Sequence, residues 1–359
     1  MHESSQWVHR VNTRIEDFIA DRQSILLSVS PDVEPFVEFS RQFLSGGKRF
    51  RATCALLGYS TVQDVVPDHV IDVASALEIF HAAALVHDDI MDKSDTRRGA
   101  PSAHRRFEAL HKDSRWSGPA DNFGESAALL FGDLLLAFSD ELFSSGLIGE
   151  SNALAARASR AEFDRMRIDV TAGQYLDIVE ERAWPVVDKF ESLTRAQRVV
   201  VFKSAKYSIE APLVIGAALA GASPDHITAL RKLGLPLGIA FQLRDDLLGV
   251  FGDPAVTGKP AGDDLREGKR TVLIALAQQE LPTSAITLMD ELLGDPELTS
   301  EQIGMLQQTL INSGAVDQLE SMISQQVDQA QTAIAQGNFS TSAQEGLHQL
   351  AEKVTRRSS

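Results

Sequence analysis

The stretch VIDVASALEIFHAAALVHDDIM, Val70–Met91, decides the fold. Val70, Val73, Ala74, Leu77, Phe80, Ala84 and Ile90 recur at spacings of three, four and six, the rhythm of a helix face. The stretch runs into Asp88-Asp89-Ile90-Met91-Asp92. Asp88 and Asp92 are four apart, so on a helix they lie one above the other. Like charges at that spacing destabilise a helix unless a cation sits between them. Hard carboxylate oxygens suit Mg²⁺, which binds through one or two carboxylates and completes its shell with water and substrate phosphates. A solvated acidic helix face would give the same five residues. The flanks argue otherwise, because Ala83, Ala84, Leu85, Val86, Ile90 and Met91 set the carboxylates on a largely apolar helix. Arg97 and Arg98 follow, guanidiniums that match phosphate oxygens bidentately or neutralise the carboxylates as salt bridges.

Outward from this helix the same periodicity persists. No β-branched runs joined by Asn-Gly or Asp-Gly turns occur, and strands do not alternate with helices, so an all-α fold of roughly ten helices or more is expected. The 13 prolines cluster near expected turns, among them Pro67, Pro101, Pro119, Pro254 and Pro260. Asp113–Glu125, Gly252–Glu267 and Gly294–Thr299 read as loops. None is long enough to separate a second domain, and a single domain over residues 1–359 is expected. The apolar stretch Ala205–Ala222 is interrupted by Lys206, Glu210 and Pro212, which makes it a buried helix and not a membrane span.

Composition narrows the function classes. The 359 residues are 43% hydrophobic and 23% charged, which is ordinary for a folded chain and not for a disordered one. With 34 Lys and Arg against 50 Asp and Glu, the net charge of −16 disfavours nonspecific binding to nucleic acid or anionic lipid. The one cysteine, Cys54, cannot close an internal disulfide and reads as a small buried hydrophobe. The opening MHESSQWVHRVNTR lacks the apolar core of a signal peptide, and the expectation is a cytoplasmic protein without stable membrane insertion.

A second acidic pair, Asp245-Asp246, follows Phe241-Gln242-Leu243-Arg244 on another apolar helix. Lys259, Asp264 and Lys269 lie downstream in a glycine-rich loop. Near the N-terminus, Gly46-Gly47-Lys48-Arg49-Phe50-Arg51 offers a flexible backbone followed by three cations, without the spacing or the Ser/Thr of a phosphate-binding P-loop. Two acidic clusters, each followed by basic residues, suggest a diphosphate held by metal ions and cationic side chains.

In their order along the chain these motifs resemble the trans-prenyltransferases, the isoprenyl diphosphate synthases of the polyprenyl synthetase family. The resemblance spans about Gly46 to Thr271. It is carried by GGKRFR from Gly46, EIFHAAALVHDDIMDKSDTRRG over Glu78–Gly99, GQYLD over Gly173–Asp177, FKSAKYS over Phe202–Ser208, and FQLRDDLLGVFGDPAVTGKPAGDDLREGK over Phe241–Lys269. It implies a helical bundle around a deep central cavity, a homodimer, and two or three Mg²⁺ ions. The implied reaction joins an allylic diphosphate (dimethylallyl, geranyl or farnesyl) to isopentenyl diphosphate and releases diphosphate. By resemblance, Asp88, Asp92 and Asp245 bind Mg²⁺, with Asp89 and Asp246 supporting. Arg97, Lys203 and Lys259 grip the allylic diphosphate with Ser204, Gln242 and Lys269 nearby, and Lys48, Arg51, His81 and Arg98 hold isopentenyl diphosphate. The released diphosphate takes the proton, so no dedicated protein base is implied.

One position departs from the family. The second motif commonly ends in a fifth-position aspartate, where this chain has Gly249, and Asp253, two turns beyond Asp245, cannot simply replace it. Asp177 is a further candidate metal ligand. Product length is read from the helix before Asp88. Ala83 and Ala84 are small where short-chain members carry bulky aromatics, and Phe80, about 12 Å before Asp88 at about 1.5 Å per residue, can floor the cavity. A twenty-carbon geranylgeranyl product is expected, with farnesyl or longer products as alternatives. Without the resemblance His81 reads as a hydrogen-bonded core histidine. His87 beside Asp88 imitates the His-Asp pair of metal phosphohydrolases, which do not require the second aspartate helix. Arg356 and Arg357 read as a charged tail. A class I terpene cyclase needs no isopentenyl site, and GGKRFR with Arg97-Arg98 argues against it. A non-catalytic regulatory subunit would have lost aspartates or lysines, and only position 249 lacks its carboxylate.

Overall fold

Prolines and capping residues cut the chain into helices joined by short turns in the computed structural model, which describes residues 2–253 and 262–355. In order come α1 (His2–Val29), α2 (Glu34–Leu44), α3 (Phe50–Ser60), α4 (Asp68–Met91), α5 (Ala103–Asp113), α6 (Ala120–Ile148), α7 (Ala153–Ala183) and α8 (Lys189–Val199). A π-helical stretch, Val200–Glu210, then leads into α9 (Ala211–Leu219) and α10 (Pro224–Phe251), and further helices continue to Thr355. The all-α expectation holds. Among the described residues the strands are β1 (Thr96–Arg97) and β2 (Ala100–Pro101), two residues each, which the sequence did not announce. The chain divides into two compact units. The first holds residues up to Arg160 together with Ile215–Ala222, and the second Ala161–Val214 and residues from Ser223 onward.

The first unit is built on α4. Pro67, in extended conformation, precedes its first residue, and the expected apolar residues Val70, Val73, Ala74, Leu77 and Phe80 are all buried. Ile71, Ala76, Ile79, Ala82 and Ala83 are buried as well, so the helix is enclosed on more than one face. Helix α6 lies along it, with the Ser139 hydroxyl donating to the Ala76 carbonyl at 2.8 Å. Helix α1 is tied to the start of α4 by Arg10, which donates to the Val66 carbonyl at 3.0 Å and to Asp68 at 2.9 Å, and by the Arg14–Asp72 ion pair. Phe39, Phe107 and Phe131 form an edge-on aromatic cluster between α2, α5 and α6. Cys54 is fully buried on α3, as a small hydrophobe should be.

The second unit is organised around α10, which packs on the π-helical stretch and on the helix Ala315–Gln336. Arg231 of α10 bridges Glu162 of α7 and Glu210 at the end of the π stretch, and Arg244 pairs with Glu320. Thr299 and Gln302 make a reciprocal capping box at the start of Ser300–Asn312. The expected loop Gly294–Thr299 is a loop. The expected loop Asp113–Glu125 is shorter, because α5 runs to Asp113 and α6 begins at Ala120. Within Gly252–Glu267, Asp263–Glu267 forms a short helix. The expected buried helix within Ala205–Ala222 runs unbroken to Leu219, π-helical up to Glu210 and α-helical as α9 beyond it, before the turn.

Candidate active site

Helix α4 stops where its acidic cluster begins to matter. The Ser94 N–H donates to the Asp89 carbonyl at 3.0 Å and the Lys93 N–H to that of Ile90 at 3.4 Å, a Schellman closure with Lys93 left-handed (φ 55°). Asp88, Asp89 and Asp92 therefore occupy the last turn, at the negative end of the helix dipole, where carboxylates need compensating cations. The chain then returns as the β1–β2 hairpin. Its two turn residues, Arg98 (φ 54°) and Gly99 (φ 74°), both have positive φ, the requirement of a tight I′ turn. This hairpin delivers Arg97 to the buried carboxylate of Asp89: Nε donates to Oδ1 at 2.8 Å and Nη2 bonds the same oxygen. Asp88, half-buried, keeps one oxygen 3.8 Å from Arg97.

The turn GGKRFR meets the same region. The guanidinium of Arg98 lies beside Gly47, within 3.5 Å of where a Cβ would stand. Arg49, left-handed at φ 44°, points inward, bonding Asn12 of α1 and the Leu44 carbonyl and standing 4.0 Å from Glu78. Glu78 of α4 accepts the Ala52 N–H at 2.9 Å, satisfying an open donor of the first turn of α3. Lys48 remains exposed and Arg51 half-buried. Burial first, and then the charges of Arg51, Arg98, Arg97 and Arg49, hold the His81 imidazole well below its usual range, so it is neutral at pH 7. Four arginines around one neutral histidine make an electropositive site suited to a diphosphate. His87, in contrast, turns to α6, with Nε2 3.3 Å from the Leu129 carbonyl and 3.5 Å from Asp133. Its contacts are those of helix packing and give no support to a phosphohydrolase pair.

In the second unit, Lys203 and Ser204 lie on the π-helical stretch, a wide-turned conformation that is rare and concentrates at functional sites. Two glycines permit it. A Cβ at Gly173 of α7 would strike the backbone at Phe202–Lys203, and one at Gly238 of α10 would strike that of Ala205. Lys203 Nζ is bonded to Asp177, and Lys269 Nζ reaches the same Asp177 oxygen at 3.3 Å and Glu181 at 2.9 Å. On α10, Asp245 is exposed and Asp246 buried, with Gln242 Nε2 donating to Asp246 Oδ1 at 2.8 Å. Burial pushes the Asp246 carboxyl up to about 7. The Gln242 hydrogen bond opposes this, Asp245 and Asp177 add to it, and Lys203 counters it.

The donor set fits a hard divalent cation. Each acidic motif pairs a solvent-reachable carboxylate, Asp88 or Asp245, with a buried one held by a neighbour. Among the described residues no three acidic, His or Cys side chains already converge as a metal cage. Mg²⁺ suits such partial sites because it takes its remaining ligands from water and phosphate. Lys259, Arg356 and Arg357 lie outside the described residues. Arg49, Glu78 and Glu181 are the participants that motif reading passed over. Glu181 stands one turn after Asp177, and Glu78 is an acid inside an apolar helix, so both left a signal in the sequence.

Residues 34–309 match the polyprenyl synthetase family. The chain belongs to that family. As a family member it is a trans-prenyltransferase with the all-α isoprenoid synthase fold. It is 32% identical over 294 residues to the geranylfarnesyl diphosphate synthase of Aeropyrum pernix, covering 81% of this chain and 84% of that one. Against the geranylgeranyl diphosphate synthase of Saccharolobus solfataricus the identity is 29%, over 82% and 79% of the two chains. Among solved structures, the geranylgeranyl pyrophosphate synthase of Corynebacterium glutamicum, complexed with isoprenyl diphosphate and magnesium, superposes with a TM-score of 0.91. Their identity is 38%, over 98% of this chain and 99% of that one.

Proposed function

We propose that this prenyltransferase condenses isopentenyl diphosphate with an allylic diphosphate and makes chiefly the twenty-carbon geranylgeranyl diphosphate. The observation that carries the reading is the repeated pairing of an outward carboxylate with a buried one, each beside cationic side chains. The difficult event is heterolysis of the allylic carbon–oxygen bond, which gathers charge on the departing diphosphate. Bound Mg²⁺, two or three ions, supplies Lewis-acid neutralisation of that charge. Asp88, Asp92 and Asp245 hold the metal, and Asp89 and Asp246 support them. Lys203, Lys269 and Arg97 orient the allylic diphosphate, with Ser204, Gln242 and Lys259 assisting. Lysines now bonded to Asp177 and Glu181 exchange carboxylate for phosphate oxygens, so their charge is aimed before substrate arrives. Lys48, Arg51, Arg98 and neutral His81 hold isopentenyl diphosphate, and positioning its double bond supplies the entropic part of the rate.

Product length falls to α4. Ala83 is fully buried, whereas Ala84, one turn before Asp88, is half-buried and is the position where side-chain size acts on a growing chain. Phe80, 5% exposed, serves as the floor. The whole chain works as one catalytic domain, as a homodimer in the cytoplasm, with no nucleic acid partner and no stable membrane insertion. The test is incubation with Mg²⁺, isopentenyl diphosphate and each allylic diphosphate in turn, reading products by mass spectrometry. A dominant geranylgeranyl product is expected. Longer chains would discard the Phe80 floor, and no elongation with any starter would discard the reading.

A further inference from the structure

Helix α7 carries Asp169, Gly173 and Asp177 at spacings of four, one above another on a single face. The π-helical stretch Val200–Glu210 lies against that face. At the centre of the contact Gly173 lets the backbone of Phe202–Lys203 close in, since a Cβ there would stand 2.3 Å from the Lys203 nitrogen. One turn further along α7, Asp177 holds the Lys203 ammonium. One turn earlier, Asp169 holds the Lys206 ammonium at 3.0 Å. The later lysine meets the earlier acid, so the two segments run in opposite directions. Two lysines three residues apart are thus splayed to acids eight residues apart, about 12 Å along α7. Lys206 is also tied to the winding itself. The Ala211 N–H donates to the Lys206 carbonyl, five residues back, the hydrogen bond that defines a π turn. The Lys206 ammonium stands 4.5 Å from the ring centroid of Phe202, the residue before Lys203. The side chains of Lys206 and Asp169 are only 22% and 19% exposed, unlike those of a washed surface ion pair, which contributes little.

We propose that Lys206 and Asp169 are positioning residues for prenyl transfer: their ion pair pins the π-wound stretch on one side of Gly173, so that Lys203 on the other side is held where it meets the allylic diphosphate. The proposal rests on the allylic role given to Lys203 above. Gly173 and Gly238 make room for the wide turn, but a glycine has no side chain with which to hold it. The holding falls to the ion pair. A stretch released from it can relax towards ordinary α winding, which turns Lys203 about the helix axis and away from its place beside Asp177. Misplacement by about an ångström, caused by a change remote from the chemistry, is enough to lose much of the rate.

The test uses the full chain with Mg²⁺. It reads calorimetric binding of farnesyl diphosphate alone, and the KM for farnesyl and for isopentenyl diphosphate under turnover. Lys206→Met keeps the apolar stem and removes the charge. It is expected to weaken farnesyl diphosphate binding and raise its KM about tenfold, with the KM for isopentenyl diphosphate unchanged. Asp169→Asn attacks the same pair from α7 and should match it. Lys206→Arg keeps the ion pair and should bind like the parent. Lys206→Asp combined with Asp169→Lys restores the pair in reverse and should recover most of what Lys206→Asp alone loses. Thermal melts confirm that each variant compared is folded. If Lys206→Met and Asp169→Asn melt lower but bind farnesyl diphosphate like the parent, the pair serves stability alone and the proposal is overturned. Equal losses for both diphosphates would overturn it too, as would a reversed pair no better than Lys206→Asp. Lys203→Met separates the two readings. If it weakens farnesyl diphosphate binding while Lys206→Met does not, only the present proposal fails. If neither does, the allylic role of Lys203 fails with it.

Discussion

Asp89 in α4 and Asp246 in α10 each follow a more accessible carboxylate and each is buried, yet their neighbours differ in kind. Asp89 receives a guanidinium, Arg97, fixed by a two-residue hairpin turn. Among the described residues Asp246 receives the neutral amide of Gln242, with Asp245 and Asp177 as like-charged company and Lys203 as counterweight. One motif thus sets its inner carboxylate against a cation. The other holds it near the point where a proton is exchanged at neutral pH. Sequence similarity between two Asp-Asp pairs does not carry over to their electrostatic surroundings, which are set by what the fold brings alongside.

The largest effect should come from removing the outer carboxylates of the first motif. Asp88→Ala with Asp92→Ala is expected to lower kcat by about a thousandfold at saturating Mg²⁺. Retained turnover with an unchanged Mg²⁺ dependence would break the assignment. Next, the buried partners can be taken away one at a time. Arg97→Ala strands a buried anion and should cost about 3–5 kcal/mol in denaturant unfolding. Gln242→Ala should cost about 1–2 kcal/mol, because Asp246 can take up a proton instead. Equal losses would erase the distinction.

The proton itself gives the third test. The folded carboxyl of Asp246 is raised to about 7 against an ordinary value of 3.8, so the metal-free native state binds this proton more tightly than the unfolded chain. The stability cost is absent below the ordinary value, grows as pH rises towards 7, and is constant above it. Asp246→Asn removes the cost. Its stability relative to the parent should climb between about pH 4 and pH 7 by a few kcal/mol, then level off. A pH-independent difference would show that Asp246 is ionised throughout. The smallest effect belongs to Ala84→Phe, which should shorten the product by about one isoprene unit while leaving the Mg²⁺ dependence alone. An unchanged product distribution would remove α4 from length control.

The helical class and the course of α4 were legible because apolar periodicity and Pro67 are local signals. Both aspartate motifs and the basic runs were legible for the same reason. The hairpin at Arg98-Gly99 was not, since one of its two positive-φ residues is an arginine, which gives no turn signal. Nor was the π-helical stretch, whose close packing needs Gly173 and Gly238, far from it in sequence. Asp264 was visible as a loop acid, but its place against Gly249 depends on the left-handed Gly262 and Gly268. His87 looked chemical beside Asp88 until its side chain was placed against α6.

Helix α4 has a consequence during synthesis. It is long and apolar enough to cross a membrane, and 72% of its most apolar window is covered in the finished protein. Much of that cover is α6, whose last residue is added 57 residues after Met91. At about 5–20 residues per second the nascent helix waits roughly 3–11 s for its partner. Over that interval its C-terminal Asp88, Asp89 and Asp92 oppose entry of that end into a bilayer, since acidic residues are costly to insert. Three carboxylates at the end of the helix thus weigh against a bilayer before its protein partner is made.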